Sequence, residues 1–119
     1  MRWTVEYTDQ FEAWWQNLTE EEQDSIIAAV DLLEEEGPAL GRPIADTLTT
    51  SRHANMKELR PPGGSIRILF AFDPRRTAIL LIGGDKTGLW KEWYERMVPI
   101  ADDLYDEYLE ELRREGEIE

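Results

Sequence analysis

The chain has 119 residues, 33% of them charged and 41% hydrophobic, which suits one compact domain with its own core. It contains no cysteine and one histidine, which excludes disulfides, thiolate nucleophiles and metal sites built from cysteines or paired histidines. The N-terminus lacks the apolar stretch of a signal peptide, and no window of about 18 residues is apolar enough to span a membrane. We expect one cytoplasmic domain over residues 1–119, with about residues 113–119 as a frayed acidic tail.

The net charge of −13 is distributed unevenly along the chain. Residues 1–41 carry eleven acids and one base, residues 42–96 carry ten bases and six acids, and residues 97–119 carry nine acids and two bases. The middle segment is therefore basic, and lysine and arginine are the side chains that neutralise phosphate. Two interpretations stay open: a phosphate-binding surface, or arginines that lie on ordinary solvated strands.

The N-terminal region predicts a strand followed by a short helix. Residues 3–7 alternate apolar and polar side chains and are rich in aromatic and β-branched types, which is typical of a strand. Apolar residues at helical spacing between Phe11 and Leu18 then predict an amphipathic helix. Asp9 and Glu12 have the spacing of a capping box at its start.

A second helix and a long connection follow. Thr19 and Glu22 form a second capping-box pattern, and apolar residues at helical spacing extend from there until Gly37 and Pro38 stop the helix. Residues 37–53 combine Gly, Pro and Thr without periodicity, so we interpret them as a connection that could border a site.

Three successive strands are predicted within residues 55–60, 65–72 and 77–82, joined by short turns. The paired glycines at 63–64 and 83–84 lack the spacing of a phosphate-binding loop and are interpreted as turn residues. An aromatic segment, Leu89–Met97, is predicted to be helical before Pro99, and a final amphipathic helix to begin at Ile100.

The predicted order is β-α-α-β-β-β-α, an α+β fold in which the N-terminal strand and two helices pack on a curled antiparallel sheet. The opposite face of that sheet is where basic side chains are expected to collect. Arg67 lies opposite the apolar face of its strand, and the neighbouring strand can place Arg60 beside it. Lys86 follows the last strand at the same end, unless it is only a flexible surface lysine.

The roles of His53 and of three aromatic residues after the basic segment stay open. His53 can be a general base near neutral pH, or a structural or solvated histidine. Trp90, Trp93 and Tyr94 follow the basic region, where aromatic rings can stack on unpaired bases, although tryptophans at such spacing are usually core residues. No set of carboxylates suggests a metal site.

With these elements in place, the chain resembles the HigB-type, phage Gp49-like branch of the RelE/ParE toxin superfamily. The resemblance rests on the element order and on the segments Met56–Arg60, Ile66–Phe72 and Ile79–Lys86 at their separations. It implies a RelE-like fold and the toxin of a bacterial type II toxin–antitoxin pair. The implied activity is ribosome-dependent cleavage of messenger RNA by attack of the RNA 2′-hydroxyl on the adjacent phosphate, with no metal or other cofactor.

The resemblance also implies site residues. Arg60 and Arg67 would bind the phosphate and its transition state, Lys86 would be a second cation or proton carrier, and His53 a candidate acid or base. The implied RNA-binding residues are Arg52, Lys57, Arg75, Arg76, Trp90 and Trp93.

The implied partners are messenger RNA on the ribosome and a cognate antitoxin, expected to be a helix-turn-helix protein of HigA type, and no membrane. Two alternatives stay open, because one fold can carry several functions. One is a ParE-like, non-enzymatic inhibitor of DNA gyrase. The other is a relative that only binds its antitoxin.

Overall fold

The computed structural model describes residues 2–88 and 90–119. The elements in chain order are β1 (Val5–Tyr7), α1 (Asp9–Trp15), α2 (Glu20–Glu36), a 3₁₀ turn (Gly37–Ala39), β2 (Ala45–Thr47), β3 (Met56–Leu59), β4 (Ile66–Phe72), β5 (Ala78–Asp85) and α3 (Trp90–Arg114). The predicted α+β class and element order are confirmed. The additional strand β2 lies inside the segment that was predicted to be a connection without regular structure.

The strands form one five-stranded sheet in the order β1-β5-β4-β3-β2. Strands β3 to β5 form the predicted three-stranded antiparallel meander, and β2 adds a fourth antiparallel strand beside β3. Strand β1 pairs with β5 in parallel, so the sheet is mixed. Val5 lies opposite Ala78 in this pairing. Local sequence patterns carry no information on a contact between residues so far apart, because the pairing depends on how the whole chain folds back.

Helices cover both faces of the sheet. Helices α1 and α2 pack on one face over a core that includes Phe11, Leu33 and Phe70. Helix α3 packs on the other face over a second core that includes Leu69 and Ala101. The expectation of an open basic face is therefore wrong for most of its area, because the amphipathic α3 buries its apolar stripe there.

Capping residues mark the N-terminal ends of helices α1 and α2. Thr19 and Glu22 form the predicted capping box, with both reciprocal hydrogen bonds present. Helix α1 is capped one residue earlier than predicted: the hydroxyl of Thr8 accepts a hydrogen bond from the backbone N–H of Phe11 at 3.0 Å. Asp9 is the first helical residue, where its charge is favourable to the helix dipole.

The interpretation of Gly83 and Gly84 as turn residues is wrong, because both lie inside β5. A Cβ atom at Gly83 would lie 2.3 Å from the ring of Trp14, and one at Gly84 would lie 2.9 Å from Nε1 of Trp93. The two glycines therefore allow tryptophans from α1 and α3 to pack directly on opposite faces of the strand.

Helix α3 runs continuously through Pro99, so the predicted division at this residue is wrong. A proline inside a helix removes one backbone hydrogen bond. Here apolar side chains on both sides of Pro99, from Trp93 to Tyr105, are buried in the same core, and this burial outweighs the local preference. Leu89, where the first of the two predicted helices begins, lies outside the described residues.

The C-terminal end of α3 has a defined cap. Gly116 adopts φ 76°, its N–H donates to the carbonyl of Arg113, and the N–H of Glu117 donates to the carbonyl of Leu112. This is a Schellman motif. Regular hydrogen bonding thus extends into the segment that was expected to fray. Within the described ranges, no helix is long and apolar enough to cross a membrane.

Candidate phosphate-binding site

Three cations meet at one end of the sheet face that α3 covers. Arg60 directly follows β3, Arg67 is the second residue of β4, and Lys86 directly follows β5. The antiparallel register brings these strand ends together, since Arg67 lies opposite Gly84 and Glu58 opposite Leu69. We call Glu58, Arg60, Arg67, Lys86 and Tyr94 the cation cluster.

Glu58 is the centre of the cation cluster and is only 4% exposed. Its Oε2 accepts a hydrogen bond from Nη2 of Arg60 at 3.0 Å, and its Oε1 accepts one from the Tyr94 hydroxyl at 2.6 Å. Nε of Arg67 lies 3.7 Å from Oε1. A buried carboxylate is costly unless it is paired, and here two guanidiniums and a hydroxyl surround Glu58.

The guanidinium of Arg67 is held by its own strand and by Glu58. Its Nη1 donates to the carbonyl of Ile66 at 2.8 Å, which fixes the guanidinium against its own strand. Its Nε is buried and has no hydrogen-bond partner among the described residues. Oε1 of Glu58, at 3.7 Å, is the anionic oxygen that faces this donor, so Nε contributes to the buried ion pair.

Lys86 is not a flexible surface lysine, since it is only 6% exposed. Its Nζ lies 3.3 Å from the ring centroid of Trp90, a cation–π contact. Burial, and then the positive charges of Arg67 and Arg60, lower the pKa of Lys86, although Glu58 opposes this effect. An ammonium with a lowered pKa gives up its proton more readily than a solvated lysine.

Glu58 and Tyr94 are the members of the cation cluster that the site prediction missed. Burial, and then the hydrogen bond to Glu58, raise the pKa of Tyr94 to about 12, so its hydroxyl stays a donor at neutral pH. Side chains alternate along a strand, so Glu58 lies on the same face as Arg60, and this alternation could have predicted Glu58 as a member of the site. Across residues 2–88 and 90–119, no group of three or more His, Asp or Glu side chains could hold a metal ion.

His53 and Arg52 lie elsewhere, against the C-terminal half of α3. Nε2 of His53 lies 2.8 Å from Oδ1 of Asp106, and Arg52 pairs with Asp103 and Asp106. Asp106 follows Tyr94 by about 18 Å along the helix, at 1.5 Å per residue. The structure therefore does not bring His53 to the cation cluster, and the charge of Arg52 is taken up by carboxylates.

Replacing Asp106 with asparagine tests the contacts of Asp106 with Arg52 and His53, because their contribution to stability depends on pH. The hydrogen bond from Arg52, followed by that from His53, lowers the pKa of Asp106 from its ordinary value of 3.8, against the effect of burial. A lowered pKa stabilises the fold above 3.8, and this contribution is lost as the pH falls through the folded-state value. We expect Asp106→Asn to lower the unfolding temperature near neutral pH, with a difference that shrinks towards about pH 3.

Thermal unfolding at several pH values measures this difference. Glu110→Gln is the control, because Glu110 is exposed on the same helix and makes no ion pair with a described residue. A deficit for Asp106→Asn that is as large at pH 3 as at neutral pH contradicts the assignment.

The other predicted RNA-binding arginines lie at the far end of the sheet. Arg75, in the turn between β4 and β5, pairs with Asp73 and Glu6, and the hydrogen bond to Asp73 raises its pKa. Arg76 lies over the ring of Trp3, with 5.1 Å between its Cζ and the ring centroid. The residues of β4 separate this turn from Arg67 by about 20 Å, at 3.3 Å per residue.

Of the remaining predicted RNA-binding residues, Lys57, Trp90 and Trp93, only Trp90 is exposed at the cation cluster. Lys57 alternates with Glu58 along β3 and so points to the opposite face of the sheet. Trp93 is only 5% exposed and packs on Gly84, so a stacking role on RNA bases does not fit its position. Trp90 is 61% exposed beside Lys86, and its ring is open to solvent at the cation cluster.

Comparisons with known proteins agree with this architecture. Residues 13–106 match the family described as phage derived protein Gp49-like (DUF891). The chain is 56% identical over 100 residues to the Mycobacterium tuberculosis protein named "Putative toxin HigB3", covering 84% of this chain and 88% of that protein. It is 47% identical over 110 residues to "Putative toxin HigB2" of the same organism, covering 90% of this chain and 54% of that protein.

The fold is similar to that of a crystallised archaeal RelE toxin. The RelE chain of the RelE–RelB complex from Pyrococcus horikoshii OT3 aligns with a TM-score of 0.59 and 16% identity, over 73% of this chain and 98% of that one. Together with the family match, these similarities lead to one conclusion: the chain belongs to the phage Gp49-like family and is a HigB-type toxin with a RelE-like fold.

Proposed function

We propose that this toxin cleaves messenger RNA on the ribosome, in the bacterial cytoplasm, without a metal ion. The observation that carries the proposal is the meeting of Arg60, Arg67 and Lys86 around Glu58 at one end of the sheet. Phosphate esters are bound by such groups of cations. The relationship to HigB toxins supports the same assignment.

The proposed reaction uses a nucleophile that belongs to the RNA. The 2′-oxygen forms a bond to the adjacent phosphorus, the bond from phosphorus to the 5′-oxygen breaks, and the products are a 2′,3′-cyclic phosphate and a 5′-hydroxyl. The 2′-hydroxyl loses one proton and the leaving 5′-oxygen gains one. The protein therefore has to hold the phosphate, stabilise its added charge and move two protons.

The cation cluster can perform these tasks. Arg60 and Arg67 present fixed guanidinium donors to the phosphate oxygens. Lys86, with its lowered pKa, donates the proton to the leaving oxygen. An arriving phosphate competes with Glu58 for the guanidiniums, and a carboxylate released from Arg60 can accept the proton of the 2′-hydroxyl. This assignment uses Glu58 in place of His53, which lies against Asp106.

The proposal includes an antitoxin partner. The archaeal RelE toxin with the similar fold was crystallised as a complex with RelB. By analogy we propose that a cognate antitoxin, a helix-turn-helix protein of HigA type, neutralises this toxin and covers its cation cluster.

Primer extension on cellular transcripts, shortly after induced expression in a bacterium, tests the proposed activity. We expect growth arrest with new 5′ ends inside translated regions, and none when translation initiation is blocked beforehand. Growth arrest with altered plasmid supercoiling and no new ends would replace the ribonuclease with a gyrase inhibitor. Normal growth together with binding to the antitoxin would indicate a chain that keeps only the antitoxin interaction.

A further inference from the structure

A cleft lies beside the cation cluster, between the segment that leaves β2 and the first half of α3. Its volume is 630 Å³, and residues 47–50 form one wall while Tyr94, Val98 and Pro99 form the other. This volume is within the range of small-molecule sites, which is about 300–1,000 Å³. None of the catalytic roles proposed above uses the residues of the 47–50 wall.

The lining of the cleft combines threonine hydroxyls, an apolar floor and the charged side chains of Lys91 and Glu95. Thr47, Thr49 and Thr50 are exposed, and none of their hydroxyls bonds to a described residue. Leu48 and Val98 are buried and contribute apolar surface. A flat heteroaromatic ring fits such a lining, because its faces need apolar contact and its edges need donors and acceptors.

The cleft is continuous with the cation cluster. Glu58 and Tyr94 belong to both, and they are joined by a hydrogen bond of 2.6 Å. The other oxygen of Glu58 lies 3.0 Å from Nη2 of Arg60. One carboxylate thus separates the cleft from the guanidinium of Arg60, to which the proposed function assigns phosphate binding.

We propose that this cleft is a nucleobase subsite, which holds one base of the RNA next to the phosphate that is cut. The inference rests on the proposed function and extends it to sequence preference. Side-chain hydroxyls select bases because a base that leaves a donor or acceptor unpaired binds less well. The hydroxyls of Thr49 and Thr50 are the groups that read the edge of the base.

The test compares where RNA is cut, since total cleavage alone would not separate a subsite from a structural role. Thr49→Val and Thr50→Val remove the hydroxyls at nearly constant volume. We expect cleavage to continue, with the ratio of cutting between preferred and non-preferred sites reduced about threefold to tenfold, the worth of one hydrogen bond. Mapping of 5′ ends across the transcriptome measures this ratio for each variant.

Thr4→Val is the matched control, because Thr4 is exposed and lies beside β1, at the opposite edge of the sheet from β2. Its cleavage pattern should equal that of the natural chain. The same pattern for Thr49→Val and Thr50→Val, with cleavage retained, would overturn the subsite and leave the proposed function standing. If the antitoxin no longer neutralises Thr49→Val or Thr50→Val while the cleavage pattern is unchanged, the cleft binds a segment of the antitoxin, and the nucleobase subsite is also overturned. Absence of cutting by the natural chain would remove both the proposed function and the subsite.

Discussion

Arg67→Ala is expected to reduce RNA cleavage about 100- to 1,000-fold while leaving the fold intact. Loss of one preorganised donor to a transition-state oxygen has an effect of this size. The guanidinium of Arg67 is fixed in place by the carbonyl of Ile66 and by its ion pair with Glu58. The fold should tolerate the change, because Glu58 keeps its contacts with Arg60 and Tyr94.

Primer extension measures the loss of cleavage, and thermal unfolding of the purified chain checks the fold. Arg114→Ala is the matched control, since it removes the same charge at the exposed end of α3, about 30 Å along the helix from Tyr94. Arg67→Lys keeps the charge but lacks the planar fork of donors, and should retain an intermediate rate. Cleavage by Arg67→Ala at the natural rate would exclude this arginine from the chemistry.

Glu58→Gln is expected to have the largest effect on stability, a loss of about 3 kcal/mol in the free energy of unfolding. Removing one partner of a buried ion pair costs about 3–5 kcal/mol, because the other charges stay buried without compensation. Here the charge of Arg67 is left behind with Lys86 close to it, while Arg60 keeps its ion pair with Asp46 at 3.3 Å. The lower end of the range applies because the Arg60 side chain is 30% exposed.

Urea unfolding near neutral pH measures this loss, and an unchanged m-value would show that both chains expose the same surface on unfolding. Tyr94→Phe removes only one hydrogen bond to Glu58 and should cost about 1 kcal/mol. Glu110→Gln, an exposed acid on α3, should leave the stability nearly unchanged. A loss below about 1 kcal/mol for Glu58→Gln would mean that the arginines need no buried counter-ion.

The strongly acidic composition is compatible with a phosphate-binding site because the charges are arranged locally. Acids of α3 pair with Arg52, and Asp73 and Glu6 pair with Arg75, so these two arginines are neutralised within the protein. The cation cluster keeps three cations against two carboxylates, the buried Glu58 and Asp46, which pairs with Arg60 at 3.3 Å. Electrostatic attraction of RNA is therefore concentrated there, although the molecule as a whole repels it.

The sequence alone predicted the features that depend on neighbouring residues. Apolar periodicity located α1, α2 and the three meander strands, and the Thr19 capping box marked the start of α2 correctly. Strand alternation and the order of the strands also placed Arg60, Arg67 and Lys86 at one end of the sheet. Each of these signals is local, because backbone hydrogen bonding and side-chain alternation act within a few residues.

Tertiary packing decided the rest. Burial of one apolar stripe makes α3 continuous through Pro99, and the close approach of Trp14 and Trp93 requires Gly83 and Gly84 inside β5. The same packing places Glu58 and Tyr94 between the arginines and takes His53 to Asp106, about 18 Å further along α3. Contacts between distant segments carry no local pattern, since they arise only when the sheet and its two helical layers close on each other.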